Sequence, residues 1–268
     1  MAKKLKLPPL DFEQECSTVW SFPRRGNWIT HNSKYRGNWS PEVVRNLILR
    51  YSKEGDYLLD PMIGGGTTAI EAKLLNRNLL CYDINPDAIA LTKSLLDFEE
   101  IQMEEINECL EKHELKKNKW GKIKIVHRDA TEKNKELKKE SIDFVLMHPP
   151  YVDIIKYSDG KIKEDLSNIH NIDKFCDEIE KIAKESYRVL KPGKYCAVLM
   201  GDTRRDKMYQ PLAFKVMERF LNVGFLLKED IIKVQHNCKA TGFWVKKSKE
   251  ANFLLIMHEH LFIFKKIK

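Results

Sequence analysis

No apolar run in the chain approaches the ~20 residues that cross a bilayer, and the opening stretch from Met1 to Pro9 holds no apolar segment of signal-peptide length. Membrane insertion and secretion are not expected, and the expected compartment is the cytoplasm. Paired cysteines are also missing. Cys16, Cys81, Cys109, Cys176, Cys196 and Cys238 are scattered, and none stands in the C-x-x-C spacing of a zinc or redox site. They read as reduced structural residues, and no metal is expected. There is no internal repeat and no low-complexity linker, so a single domain over residues 1–268 is the expectation.

Acidic residues are absent from two stretches. Between Cys16 and Pro41, Arg24, Arg25, Lys34 and Arg36 alternate with Trp20, Phe22, Trp28, Tyr35 and Trp39. Between Ile231 and Lys249, Lys233, Lys239, Lys246, Lys247 and Lys249 accompany Phe243 and Trp244. Basic residues interleaved with aromatics suit a nucleic-acid surface. Residues 1–50 thus read as a basic and aromatic N-terminal segment, and 235–252 as a basic loop able to touch a polyanion. The net charge of +8 favours the same class of partner, and 43% hydrophobic residues suffice for one sizeable core.

Short apolar runs alternate with helical stretches. Tyr57 to Asp60, Leu79 to Asp83, Ile123 to Val126, Ile142 to Met147 and Tyr195 to Met200 read as strands. Helices are expected from Thr67 to Leu75, from Pro86 past Leu96, ahead of a stop at Pro192-Gly193, and from Pro211 to Leu221. Phe225 to Val234 and His260 to Phe264 read as an antiparallel pair closing one edge, with a loop rather than a helix between them. The charged stretches Glu111 to Lys119 and Glu132 to Glu140 read as solvated helix faces and loops. This alternation predicts an α/β fold with a largely parallel sheet and a site beyond the carboxyl ends of its strands.

Asp60-Pro-Met-Ile-Gly-Gly-Gly-Thr-Thr68 lies between a strand and a helix, where glycines let a ligand approach the backbone. No Gly-Lys-Ser/Thr ends it, so it is not a Walker A loop, and Ala69 stands where the dinucleotide fingerprint has its last glycine. Asp83 ends the next strand and suits a ribose diol. Asp129 follows the third strand and suits an adenine amino group. The fourth strand runs into Met147-His148-Pro149-Pro150-Tyr151, where two prolines stiffen the chain and leave its carbonyls free to hold a planar amino group.

Together, the glycine segment and His148-Pro-Pro-Tyr151 resemble the S-adenosylmethionine-dependent amino methyltransferases of DNA, which carry D-P-F-x-G-x-G-T-T and (D/N/S)-P-P-(Y/F/W). The likeness spans roughly residues 25 to 265, with the cofactor half preceding the catalytic half. It implies a Rossmann-like methyltransferase fold: a mostly parallel seven-stranded sheet with an antiparallel edge pair and helices on both faces. S-adenosyl-L-methionine is the implied cofactor, and Asp60, Pro61, Met62, Gly64, Gly66, Thr67, Thr68, Asp83, Ile84, Asp129, Ala130, His31 and Tyr35 are its implied contacts.

The implied substrate is double-stranded DNA with a flipped base, methylated at N4 of cytosine in preference to N6 of adenine. A companion restriction endonuclease is among the implied partners. His148 stands where the family has Asp, Asn or Ser, and a neutral imidazole can accept the same hydrogen bond from the target amino group. The implied catalytic segment is His148, Pro149, Pro150 and Tyr151, with the His148 side chain and the Pro149 carbonyl as acceptors and Tyr151 stacking on the base. Activity is then expected to fall below the ordinary imidazole value of roughly 6.5. Arg24, Arg25, Arg36, Arg204, Arg205, Lys239, Lys246 and Lys247 are the expected DNA contacts, and Gly201 to Arg205 is expected to line the base pocket. Other readings are an RNA guanine-N2 or protein-glutamine methyltransferase, and a non-catalytic nucleic-acid-binding module favoured only by His148.

Overall fold

Near-continuous apolar runs along the central strands call for a sheet covered on both faces, and the computed structural model has that architecture. It describes residues 6–9, 11–97, 108, 120–236 and 241–267. In chain order the elements are β1 (Val19–Ser21), α1 (Pro41–Tyr51), β2 (Tyr57–Asp60), α2 (Thr67–Leu74), β3 (Asn78–Asp83), α3 (Pro86–Leu96), β4 (Ile123–His127), β5 (Ile142–Met147), α4 (Ile172–Val189) and β6 (Leu190–Met200). A hairpin of β7 (Thr203–Arg205) and β8 (Met208–Gln210) follows, then α5 (Leu212–Val223), β9 (Leu226–Val234), α6 (Thr241–Ala251) and β10 (His258–Lys265).

Among the described residues the main sheet has eight strands in the order β1-β9-β10-β6-β5-β2-β3-β4, and of these β10 alone runs against its neighbours. All six residues of β5 are buried, as a central parallel strand requires. Its alternate side chains serve opposite faces. Val145 and Met147 pack with Phe175 and Ile179 of α4 and with Val216 and Phe220 of α5. Phe144 and Leu146 pack with Val43, Leu47 and Ile48 of α1 and Ala69 and Ala72 of α2.

The sheet has one strand more than the expected seven. β1 pairs in parallel with β9, anchored by Trp20, which is buried among Val43, Leu47 and Ile231. The antiparallel strands therefore lie inside the edge that β1 closes. α3 ends at Leu96 rather than running on, and β6 begins at Leu190 straight after α4, ahead of the expected start at Tyr195. Glu132 to Glu140 is loop, whereas Glu111 to Lys119, Cys109, Cys238 and Lys239 lie outside the described residues. Of the other cysteines, Cys81, Cys176 and Cys196 are buried and Cys16 is exposed, all as free thiols. Residues 241–251 form α6, not a loop, and none of its side chains is buried. Without an apolar stripe to bury, this helix gives no periodic signal in the sequence. Among the described residues no helix is long and apolar enough to cross a membrane.

One buried carboxylate ties the N-terminal segment to the sheet. Glu71 of α2 accepts hydrogen bonds from Trp28 Nε1 at 2.7 Å, His31 Nε2 at 2.8 Å and Arg45 Nη1 at 2.8 Å. Burial pushes this carboxyl up, but the His31 hydrogen bond and the Arg45 charge outweigh it and hold Glu71 below the ordinary carboxylate value. The stabilisation is therefore present above that ordinary value and is lost as pH falls through the depressed one. Glu71→Ala leaves the Arg45 charge buried without its partner, and a loss of about 3–5 kcal/mol in the stability read by urea unfolding is expected.

Candidate active site

β2 ends at Asp60, which is buried and accepts the Met62 N–H at 3.0 Å. Burial pushes this carboxyl up to about 7. The chain then turns through Gly64 and Gly66, at φ +50° and +79°, in the left-handed region that suits glycine. A Cβ on Gly64 would stand 3.1 Å from the Tyr35 ring, and one on Gly66 would stand 2.9 Å from Thr92 Oγ1. Thr67 Oγ1 donates to Asn38 Oδ1 at 2.8 Å, and Thr67 and Thr68 are buried in the first turn of α2. Asp60, Gly66, Thr67 and Thr68 thus shape the turn and do not line the cavity beside it.

That cavity, of about 620 Å³, is lined by Tyr35, Pro61, Met62, Gly64, Asp83, Ile84, Asp129, Ala130 and Pro150. Asp83 Oδ2 accepts the Gly64 N–H at 2.9 Å, and its Oδ1 accepts the Asn85 N–H at 2.8 Å, so the carboxylate is pinned at the end of β3. Burial raises the Asp83 carboxyl. Asp129 Oδ1 accepts both the N–H and the hydroxyl of Thr131 at 2.8 Å. Sequence reading missed the rest of the wall: Asn85, Thr131, Tyr157, Glu164, Asp165 and Leu166. The Tyr157 ring stacks on Tyr35 at 5.7 Å and 14° between planes. His31 is placed elsewhere, buried on Glu71.

A second cavity, of about 690 Å³, is lined by Trp39, His148, Pro149, Tyr151, Tyr157, Lys233 and Glu259, among others. The two cavities meet at the Pro149-Pro150 turn and share Tyr157. His148 Nε2 lies 2.7 Å from the Tyr151 hydroxyl, which donates to Glu259 Oε1 at 2.5 Å. Lys233 of β9 faces Glu259 across the β9–β10 pair and donates to its Oε2 at 2.8 Å. Burial alone would raise the Glu259 carboxyl, but the Lys233 charge holds it below its ordinary value. Tyr151 is raised well above the usual phenol range, by burial and by Glu259. A Cβ on Gly201 would stand 2.5 Å from the Tyr151 ring, so glycine there lets the ring pack flush. Val152, fully buried and β-branched, sits at φ +55°, a strained geometry next to the turn.

The basic residues divide. Arg204 is spent on Leu254 O, at 3.1 and 2.8 Å from its Nε and Nη2, and on Lys207 O. Arg205 pairs with Asp153 at 3.3 Å and bonds His170 O. The segment 201–205 therefore braces Tyr151 and the hairpin, and does not line the second cavity. Arg25 donates to Asn38 O at 3.0 Å, while its Nε and Nη2 are buried with no partner among the described residues. Arg24 and Arg36 are exposed. Lys246 and Lys247 lie on α6 beside Phe243 and Trp244, 62% and 48% exposed, and share Glu250 at 4.0 and 3.5 Å.

The sequence profile of the DNA methylase family matches residues 3–94 and 142–268. The type II methyltransferase M.HpaI of Haemophilus parainfluenzae is 35% identical over 97 residues, 36% of this chain and 31% of that protein. An uncharacterised protein of Methanocaldococcus jannaschii, MJ1233, is 30% identical over 174 residues, 65% of this chain and 48% of that one. The chain thus spans about a third to a half of these two relatives. In fold, it matches TrmN from Thermus thermophilus with a TM-score of 0.52 and 16% identity, over 87% of this chain and 50% of that one. It also matches a SAM-dependent methyltransferase from Methanosarcina mazei, with a TM-score of 0.52 and 15% identity, over 83% of this chain and 98% of that one.

Burial lowers His148 from its ordinary 6.5 to about 4, against the pull of Glu259. The acid limb expected from an unperturbed imidazole moves with it. An NMR titration of the His148 ring should find it neutral at pH 5.5, where an exposed histidine is mostly charged.

Proposed function

The chain belongs to the DNA methylase family, and from that membership we propose that it moves a methyl group from S-adenosyl-L-methionine to an exocyclic amino group of a base in DNA. The observation that carries the reading is the pair of cavities meeting at Pro149-Pro150. One suits a nucleoside and the other a flipped base, so donor and acceptor would meet where they touch.

The first cavity fits the cofactor. Asp83 keeps lone pairs beyond the two backbone N–H groups it accepts, which suits a ribose diol. Asp129 suits the adenine amino group, Ile84 and Pro150 offer apolar surface to its ring, and Gly64 lets the ligand approach the backbone. When bound, this cofactor supplies a methyl group on a sulfonium, reactive in itself. The chain has to bring the amino nitrogen in line with it.

In the second cavity His148 and the Pro149 carbonyl accept the two amino hydrogens, which draws the nitrogen toward a pyramidal shape and frees its lone pair. A neutral imidazole can accept; a protonated one cannot. Trp39 and Tyr151 supply ring surface for the base, whose extrusion costs a few kcal/mol. We read N4 of cytosine as the target over N6 of adenine. Lys233 has donors beyond the one given to Glu259 and lines the cavity, which suits the ring carbonyl that cytosine has and adenine lacks. α6 offers a basic face with exposed aromatics to the duplex.

Incubation with methyl-labelled cofactor and DNA, then digestion to nucleosides and mass spectrometry, tests the reading. Label in N4-methylcytosine is expected. Label in N6-methyladenine overturns the choice of base, and label in RNA alone overturns the substrate. Asp83→Ala should weaken cofactor binding by about 1.5–3 kcal/mol in calorimetry. The single-turnover rate should hold to pH 5 and fall as pH drops through about 4, as His148 gains its proton. Lys246→Ala, Lys247→Ala and Lys249→Ala combined should flatten the salt dependence of DNA affinity while cofactor affinity stays unchanged.

A further inference from the structure

We propose that Glu259 and Tyr151 form a hydrogen-bond relay that fixes His148 as its Nε2–H tautomer, leaving the Nδ1 lone pair as the acceptor for the target amino group. This rests on the methyltransferase reading. The relay follows from counting protons. Glu259 is buried and ion-paired with Lys233 at 2.8 Å, so it is a carboxylate and can only accept. Tyr151 has one O–H, and it is given to Glu259 Oε1 at 2.5 Å. The phenol oxygen can then only accept from His148 Nε2, 2.7 Å away. That nitrogen must carry the proton.

In a neutral ring the other nitrogen is then bare, and Nδ1 makes no hydrogen bond among the described residues. Three charged side chains act on His148 from three elements: Glu259 of β10 favours its proton, while Lys233 of β9 and Arg25 of the N-terminal segment disfavour it. Burial sides with the cations and keeps the ring neutral. Glu259 is thus a positioning residue that acts through His148, and the Tyr151 hydroxyl does the same while its ring lines the cavity. The usual Asp, Asn or Ser of this motif position always presents an oxygen lone pair, whereas imidazole presents a lone pair only on its unprotonated nitrogen. A histidine here needs a device to choose which nitrogen that is.

Glu259→Gln reverses the relay without changing its shape. Lys233 has only donors, so the new amide turns its carbonyl to Lys233 and its NH₂ to the Tyr151 oxygen. Tyr151 then donates to His148 Nε2, and the proton moves to Nδ1. Tyr151→Phe cuts the relay and leaves both tautomers in exchange.

Two measurements on the full chain test this. Long-range ¹H–¹⁵N correlation on ¹⁵N-histidine protein, with the His148 signals identified by their loss in His148→Asn, reads the tautomer without cofactor or DNA. Nε2–H is expected in the wild type, Nδ1–H in Glu259→Gln, and a mixture in Tyr151→Phe. Single-turnover transfer at saturating cofactor and DNA should fall roughly 10²–10⁴-fold in Glu259→Gln, with cofactor affinity unchanged. An Nδ1–H wild type, or a Glu259→Gln protein that keeps Nε2–H, overturns the relay. An inverted tautomer with an unchanged rate overturns its role in transfer. The expected tautomers with no transfer to DNA by the wild type overturn the methyltransferase reading and leave the relay standing.

Discussion

The site exists because a fully buried central strand is forced to stop. β5 is paired with β2 as far as Val145 and with β6 as far as Met147, and the two prolines that follow His148 have no N–H with which to continue the ladder. The chain must leave the sheet there, stiff and with carbonyls unspent. Pro150 falls on one side of the departure and His148 with Tyr151 on the other, so a single turn forms part of the wall of both cavities. The strain at Val152 is the local cost, and its complete burial holds the geometry in place.

How much of this was legible depended on whether a residue's role is local. Pro61, Met62, Gly64, Asp83, Ile84, Asp129 and Ala130 fall on one cavity because each sits in the turn that follows a strand, which periodicity and turn chemistry reveal, while Tyr35 reaches it from the segment between β1 and α1 and was named through the resemblance alone. His31 belonged to no such local pattern, and a buried glutamate forty positions away claims it. Glu259 went unread, and Lys233 was read only as one of a run of basic residues, for a different reason. Each looks like an ordinary charge on a strand, and only the β9–β10 register sets them side by side at the mouth of the site. Arg204 and Arg205 read as DNA contacts, and the structure has them donating to nearby carbonyls and pairing with Asp153, something no spacing could reveal.

Among the buried carboxylates, Glu71 and Glu259 are each paired with a cation and do different work. Glu71 meets an arginine, a histidine and an indole, and every partner is enclosed. Glu259 meets a lysine and a phenol whose far end touches a histidine on a cavity wall. Removing a charge from either leaves its cation uncompensated. Only the second chain of hydrogen bonds opens onto space where a ligand could end it. The same physics serves as a staple in one place and as a means of orienting a ring in the other.

Tyr157 belongs to both cavities, stacked on Tyr35 in the first and facing Trp39 and Ile155 across the second. Its position is shared, so it cannot be set independently for the two occupants. Whatever fills the first cavity and steadies that ring has already met part of the ordering cost of the second. Any such benefit would be mutual and equal by linkage, since one occupant would tighten the grip on the other by the same factor in both directions. One aromatic side chain in a common wall is thus a point at which two occupants would be coupled, with no movement of the sheet beneath them.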